Sequence, residues 1–351
     1  MKKVIFIIPR IGRGGAERVV VNIANQMAED GYAVSILTIM SGEECYALAE
    51  NVQHIHLGVE KKNKLLQMLM RYLKIRSIIK HSDADTVVAF DRYYGIFGSL
   101  FTGKRVIGSE RNDPYSNMPQ NSIQKYIRDW LYKKADFVVF QTEYARDYFS
   151  DKIKRHSTII ANPVSDAILP EKLTGNRDNR IVTACRLTEQ KNLYLMIDAF
   201  AEFNQIHLGY KLVIYGEGHL LNSLKDYATK KGVSECVEFP GYVNNLPNII
   251  SSATMYVSSS DYEGISNSML EALAVGLPTV CTDCPAGGAA MVIKDGENGF
   301  LVPVKDVRRL SEAMCRVVEN PERTRQMSVK AMEVRTTFSI QEITKKWENV
   351  L

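Results

Sequence analysis

Short apolar runs of strand length alternate along this chain with stretches whose apolar residues recur at helical spacing, and that alternation predicts parallel sheets covered on both faces by helices. The run 4–9 gives way to a Gly-containing turn and then to 16–30, where Ala16, Val19, Val20, Ile23, Ala24 and Met27 share one face and Gly31 supplies the stop. Further runs at 33–39, 85–90, 105–109 and 137–141 are separated by helix-like stretches, which predicts a doubly wound sheet. The Pro, Gly, Asn and charge content of 161–165 and 174–180 predicts a linker. The alternation then restarts, with strands expected at 181–185, 211–215, 237–239, 255–259 and 278–281 and helices at 193–205, 220–231 and 266–275. Three helix-like segments follow at 307–319, 321–335 and 339–351. A chain of 351 residues exceeds the ~250–300 at which one core stops growing, so two Rossmann-like α/β domains are expected, 1–165 and 166–335.

Composition narrows the class. With 45% hydrophobic and 24% charged residues the chain is neither disordered nor collagenous. It has no apolar stretch near the ~20 residues of a spanning helix, and the opening run stops at Pro9 and Arg10, too short for a signal peptide; the expected location is the cytoplasm. Cysteines 45, 185, 236, 281, 284 and 315 are scattered through expected strands and helices, so reduced thiols are expected. Cys281-x-x-Cys284 lacks a second Cys or His pair nearby and reads as two small residues at a strand end. Residues 1–170 carry 24 basic against 18 acidic residues, while 171–351 carry 20 against 22, so the first half is expected to face something negative.

Ligands of open parallel sheets bind beyond the C-terminal strand ends, which directs attention to the strand-to-helix turns. In the first, Gly14 and Gly15 precede a helix whose free N–H groups suit an anion, although Glu17 breaks the dinucleotide fingerprint and no Gly-Lys-Ser/Thr follows; standing alone, the loop would read as a tight turn needing positive φ. The turn 184–192 brings Arg186 and Lys191 toward one diphosphate, whereas two loop cations seen alone usually mean a solvated surface. Gly216-Glu217-Gly218 fits either a backbone pressed against a ligand or an ordinary tight turn. The turn 258–272 is the most specific: Glu263 lies in the loop and Glu271 on the next helix, where Ser268-x-x-Glu271 could also be a capping box. Capping leaves Glu263 unexplained.

Taken in order, Gly14-Gly15, Arg186 with Lys191, Gly216-Glu217-Gly218 and Glu263-x7-Glu271 resemble the retaining glycosyltransferase family 4 of the GT-B fold, over nearly the whole chain. The resemblance implies two Rossmann-like domains facing a cleft that holds the donor, with 336–351 crossing back to the first domain. It implies that Glu271 binds the nucleotide ribose, Glu263 and the amides of Gly264 and Ile265 hold the donor sugar, and Arg186 and Lys191 hold the diphosphate. Gly216, Tyr242, Val243, Ser266 and Asn267 join the donor set, and Asp91, Glu110 and Arg111 are the expected sugar or acceptor contacts. Members often carry a His where this chain has Arg111, so no catalytic His is carried over. Ser109-Glu110-Arg111-Asn112 most resembles the subset that builds cell-surface polysaccharides or lipid-linked oligosaccharides.

The expected activity is metal-independent, retaining transfer of a hexose or N-acetylhexosamine from a nucleotide sugar, UDP-linked, to a glycan or lipid-linked acceptor, with no cofactor and no nucleic-acid partner. Asp83 and Asp85 form only a D-x-D before a strand, a spacing that chance supplies often. The rivals are a nucleotide-sugar epimerase of the same build and a nucleotide-sugar-binding or anionic-polymer-binding protein without transferase activity. Residues 61–80 hold seven basic and no acidic residues, with Leu65, Leu69, Tyr72, Leu73 and Arg76 close to one helical stripe. They fit an interfacial helix on an anionic membrane surface, and equally a helix packed on its own sheet with solvated cations.

Overall fold

The computed structural model describes residues 2–111, 113–115, 122–164, 169–170 and 177–351. Asn112, Ser165 and residues 174–176 of the expected motif and linker lie outside them. The chain divides into two compact units, Met1–Pro163 with Ile340–Leu351, and Val164–Ser339.

The first unit is a seven-stranded sheet ordered β3-β2-β1-β4-β5-β6-β7, all described pairings parallel. Its strands are β1 (Lys3–Ile8), β2 (Ala33–Thr38), β3 (Val52–His56), β4 (Thr86–Ala89), β5 (Arg105–Glu110), β6 (Phe137–Phe140) and β7 (Ser157–Ile159). Central β1 and β4 are buried along almost their whole length, as expected where helices cover both faces. Three helices matter below: α1 (Gly15–Glu29), α2 (Lys64–His81) and α3 (Ser122–Lys134). Fully buried Ile75 and Ile79, each worth ~1.5–3 kcal/mol of transfer free energy, fasten α2 to a core containing Ile5, Ile7, Leu37 and Val87. Asp83 and Asp85 lie at the N-terminal ends of the central strands β1 and β4, opposite the strand ends whose turns carry the candidate residues: Lys3 pairs with Asp83, and the Lys3 N–H donates to Asp85 Oδ2 at 2.9 Å.

The second unit is a six-stranded parallel sheet, β10-β9-β8-β11-β12-β13. It comprises β8 (Arg180–Ala184), β9 (Lys211–Tyr215), β10 (Val237–Gly241), β11 (Met255–Ser258), β12 (Thr279–Asp283) and β13 (Phe300–Pro303), with α4 (Leu193–Ile206), α5 (Asn267–Ala274) and α6 (Val307–Glu319). α4 and α6 pack on one another and bury Phe200, Phe203, Leu310 and Met314 in the main core. The expected 321–335 helix is broken, running Pro321–Ala331 and resuming at Val334–Thr337. The last helix, α7 (Ile340–Glu348), belongs to the first unit and packs against α1. The sequence reading misses β3, β7 and β13, each an outermost strand of its sheet.

Candidate active site

Strand order reverses between β8 and β11, and the loops leaving these two neighbours carry Arg186, Lys191 and Glu263, so the charged residues stand at the topological switch point of the second sheet. Two reciprocal sets of bonds join the loops. The Asp261 N–H donates to Gln190 O at 2.9 Å and Gln190 Nε2 donates to Tyr262 O at 2.8 Å; Asn192 Nδ2 donates to Asp261 Oδ1 and Ser259 Oγ to Lys191 O, both at 2.8 Å. Asn192 takes the left-handed conformation at φ 42° and caps α4 through Leu195 N–H, which turns Lys191 inward. Neither Asn192 nor Asp261 was singled out from sequence, since their pairing spans 69 positions.

Lys191 Nζ pairs with Glu263 Oε2, with both side chains largely buried. Burial is the largest single influence and works against the ammonium, but the Glu263 charge and hydrogen bond together with Cys185 outweigh it, so the Lys191 pKa lies above that of an ordinary lysine. Arg186 is exposed, and its charge acts on Lys191 in the opposite sense. Burial pushes the Cys185 thiol beneath this cluster up to about 11. It likewise pushes Cys284 up to about 12 and raises Cys281, so the C-x-x-C is two protonated thiols at neutral pH.

The carboxylate on the helix has a different setting. Ser266 is the N-cap of α5, accepting from Met269 N–H at 3.4 Å, while Ser268 Oγ donates to Ala184 O at 2.7 Å and so ties the helix to the end of β8. The Ser268-x-x-Glu271 capping box therefore does not form, and Glu271 sits a turn further along, only 3% exposed. Ile265 is buried, Gly264, Ser266 and Asn267 are half-buried around the helix start, and Tyr242 and Val243 are half-buried after β10.

Two glycine readings change. Gly216, at φ 120°, and Gly218 are glycines because a Cβ at either would collide with the carbonyl of Cys185 or Leu187 in the neighbouring loop; the close approach is between backbones of this chain. Gly14 has φ −91° and Gly15 is not among the positive-φ residues, so the first loop needs no left-handed turn. The Glu17 carboxylate instead folds back over Gly14 at the start of α1, placing a carboxylate of this chain's own where the helix N-terminus would favour an anion.

The switch point of the first sheet lies between β1 and β4: Arg10 and Arg13 beyond β1 are exposed, whereas Asp91 beyond β4, and Glu110 and Arg111 at the end of neighbouring β5, are engaged within the unit. Asp91 Oδ1 accepts from Tyr94 N–H at 2.7 Å and Gly95 N–H at 3.3 Å as a helix cap, and burial raises its pKa against those bonds. Glu110 Oε2 accepts from Arg92 Nη1 at 2.6 Å and from the Tyr132 hydroxyl at 2.9 Å. Burial disfavours the Arg92 charge, but Glu110 together with Tyr132 and Tyr93 outweighs it; burial and then Glu110 raise the Tyr132 pKa. The Arg111 guanidinium lies over Phe90 at 5.2 Å and Trp347 at 5.7 Å and donates to Ile160 O at 2.9 Å, and burial pulls its pKa down to about 9. Arg111 thus fastens α7 to the ends of β4 and β7, a packing role that its place in the motif does not announce.

A family model described as Glycosyl transferases group 1 matches residues 165–334, and one described as Glycosyltransferase Family 4 matches residues 13–167. An uncharacterized glycosyltransferase of Haemophilus influenzae is 27% identical, with 100% of both chains covered. The GalNAc-alpha-(1->4)-GalNAc-alpha-(1->3)-diNAcBac-PP-undecaprenol alpha-1,4-N-acetyl-D-galactosaminyltransferase of Campylobacter jejuni is 25% identical over 99% of this chain and 97% of its own. Among solved structures, S. aureus TarM in complex with Fondaparinux, alpha-GlcNAc-glycerol and UDP matches with a TM-score of 0.85 at 15% identity, covering 100% of this chain and 99% of that one.

Proposed function

This chain belongs to the family 4 glycosyltransferases of the GT-B type, and from that premise we propose that it moves a hexose or N-acetylhexosamine from a UDP-sugar to a glycan or lipid-linked acceptor, with retention and without a metal. The observation that carries the reading is the meeting of Lys191 with Glu263 at the β8/β11 switch point beside exposed Arg186. In this reading Arg186 and Lys191 stabilise the charge that develops on the departing diphosphate, the part a metal would otherwise play. Glu271 accepts from the ribose hydroxyls, Glu263 with the Gly264 and Ile265 amides orients the sugar, and Tyr242 and Val243 line the base. The acceptor oxygen bonds to the anomeric carbon as the bond to phosphate breaks, and its proton passes to the leaving phosphate oxygen on the same face. UDP in the TarM complex and the undecaprenol-linked substrate in the Campylobacter enzyme's name support the donor and acceptor classes. The test is a thermal-shift panel of UDP- and GDP-sugars in EDTA, followed by an acceptor screen with the product anomer read by NMR. A UDP-sugar is expected to raise the melting temperature; an inverted product, a metal requirement, or an epimer formed from donor alone would each refute its part of the reading.

The acceptor side is proposed to meet an anionic membrane. No helix among the described residues is long and apolar enough to cross one. Yet α2 divides in two: its second half buries Ile75 and Ile79 while Arg76 donates to Leu100 O and Phe101 O, and its first half leaves Leu65, Leu66, Met68, Leu69 and Leu73 exposed. Tyr72 stacks on Phe97 at 4.6 Å and Phe97 meets Trp130 at 6.3 Å, which joins this face to α3, where Ile123, Tyr126 and Ile127 are also exposed. Apolar tips among Lys61, Lys62, Lys64, Lys74 and Lys125 suit an interface of acyl chain and anionic headgroup, at about 1 kcal/mol per cation. Changing Lys61, Lys62, Lys64 and Lys74 together to Ser is expected to release the protein from phosphatidylglycerol vesicles and to leave turnover on a soluble acceptor intact. Wild-type protein that ignores such vesicles at low salt would end the idea.

A further inference from the structure

Far from the switch point, α4 and α6 bring together three side chains that no part of the proposed reaction uses. His207 caps the C-terminal end of α4, and Cys315 and Glu319, four residues apart, share one face of α6. The nitrogen, sulfur and oxygen ligand atoms of the three all lie within 4.8 Å of one another. The His207 ring is steadied by Phe203, 5.0 Å away. Its Nε2 is buried and makes no hydrogen bond, although Glu319 Oε1 lies 3.4 Å from it. Asn204, one turn earlier on α4, has a buried Oδ1 that also lacks a hydrogen-bond partner. Buried polar atoms are normally satisfied, and two orphans within one helical turn beside a thiol and a carboxylate ask for a partner.

We infer that His207, Cys315 and Glu319 form a binding site for a zinc-like divalent transition metal. The donor set decides the class. Imidazole nitrogen, thiolate sulfur and one carboxylate suit Zn²⁺ or Co²⁺, whereas Mg²⁺ and Ca²⁺ call for oxygen throughout. Coordination replaces the S–H bond of Cys315 by a metal–sulfur bond and releases that proton to solvent; thiolate and carboxylate together balance the charge of the ion. Three protein ligands leave a further position for water. The 14 residues of α4, about 20 Å of helix, separate His207 from Asn192 at the Lys191 loop, so the metal would clip α4 to α6 and take no part in transfer. The sequence reading finds no metal site because His207 stands far along the chain from the other two.

The test uses untagged, metal-stripped full-length protein titrated with Co²⁺. One equivalent is expected to give a thiolate-to-cobalt charge-transfer band in the near ultraviolet with visible bands of tetrahedral intensity, displaced by Zn²⁺. The thiolate band should vanish in Cys315→Ser and persist in the Cys281→Ser/Cys284→Ser double variant, and His207→Gln should weaken binding roughly tenfold or more. Zn²⁺ should raise the melting temperature of the wild type and not that of Cys315→Ser, a readout that also shows the variant is folded. A spectrum that stays that of aqueous cobalt, or a thiolate band that survives in Cys315→Ser, overturns the proposal.

Discussion

The two sheets end in similar places and use them differently. Each has a switch point, β1/β4 in the first unit and β8/β11 in the second, and each sets charged residues just beyond it. At the first, Asp91 caps a helix, and at the end of the next strand Glu110 is shared by Arg92 and Tyr132 and Arg111 is wedged against Phe90 and Trp347, so these charges hold the fold while Arg10 and Arg13 beyond β1 stay exposed. In the second, one largely buried pair, Lys191 with Glu263, follows the strand ends with exposed Arg186, and Glu271 is buried on the next helix, the arrangement that the proposed function assigns to the donor. Position at a strand end nominates a residue, and what its side chain already packs against bears on whether it can meet a ligand.

The largest test of that contrast is Arg186→Ala. Loss of one preorganised cation facing the leaving diphosphate is expected to lower kcat by on the order of 10²–10³. Because Arg186 is exposed, stability should shift by no more than about 0.5 kcal/mol. Turnover within a few-fold of wild type would put Arg186 outside the mechanism. The mirror experiment is Glu110→Ala, which leaves the largely buried Arg92 without its carboxylate. Breaking such a pair costs about 3–5 kcal/mol, and the fifth of Arg92 that is exposed puts the expected loss in urea unfolding near the lower bound. UDP affinity by calorimetry should not move; if it falls while stability holds, the contrast between the two sheets is wrong.

The smallest effect separates two roles on one helix. Glu271→Gln, weakening a charged hydrogen bond to ribose, should raise KM for the donor roughly tenfold or more with little change in kcat. Ser266→Ala should instead cost about 0.5–1 kcal/mol of stability, the value of a long N-cap bond. If Glu271→Gln destabilises the protein as much as Ser266→Ala and leaves KM alone, Glu271 is structural.

The parallel strands at the centre of both sheets were legible in the sequence because burial on both faces writes them as continuous apolar runs, as in β1 and β9. That Lys191 and Glu263 stand in the loops beyond β8 and β11, and Glu271 on the following helix, was legible because strand-to-helix turns can be placed from the alternation of runs. Three of the four edge strands were not: β3 reads Val-Gln-His-Ile-His, half-exposed, so only pairing with β2 makes it a strand. The reason for Gly216 was not legible either, since the carbonyl it makes room for, that of Cys185, is supplied by another loop. Nor could the sequence tell that Ser266 and not Ser268 caps α5, that α2 would bury only its second half, or that His207 would meet Cys315. Local pattern records what a residue needs from its own element. Which groups find a partner, and which are left to bind something else, is decided only when elements distant in sequence are packed together.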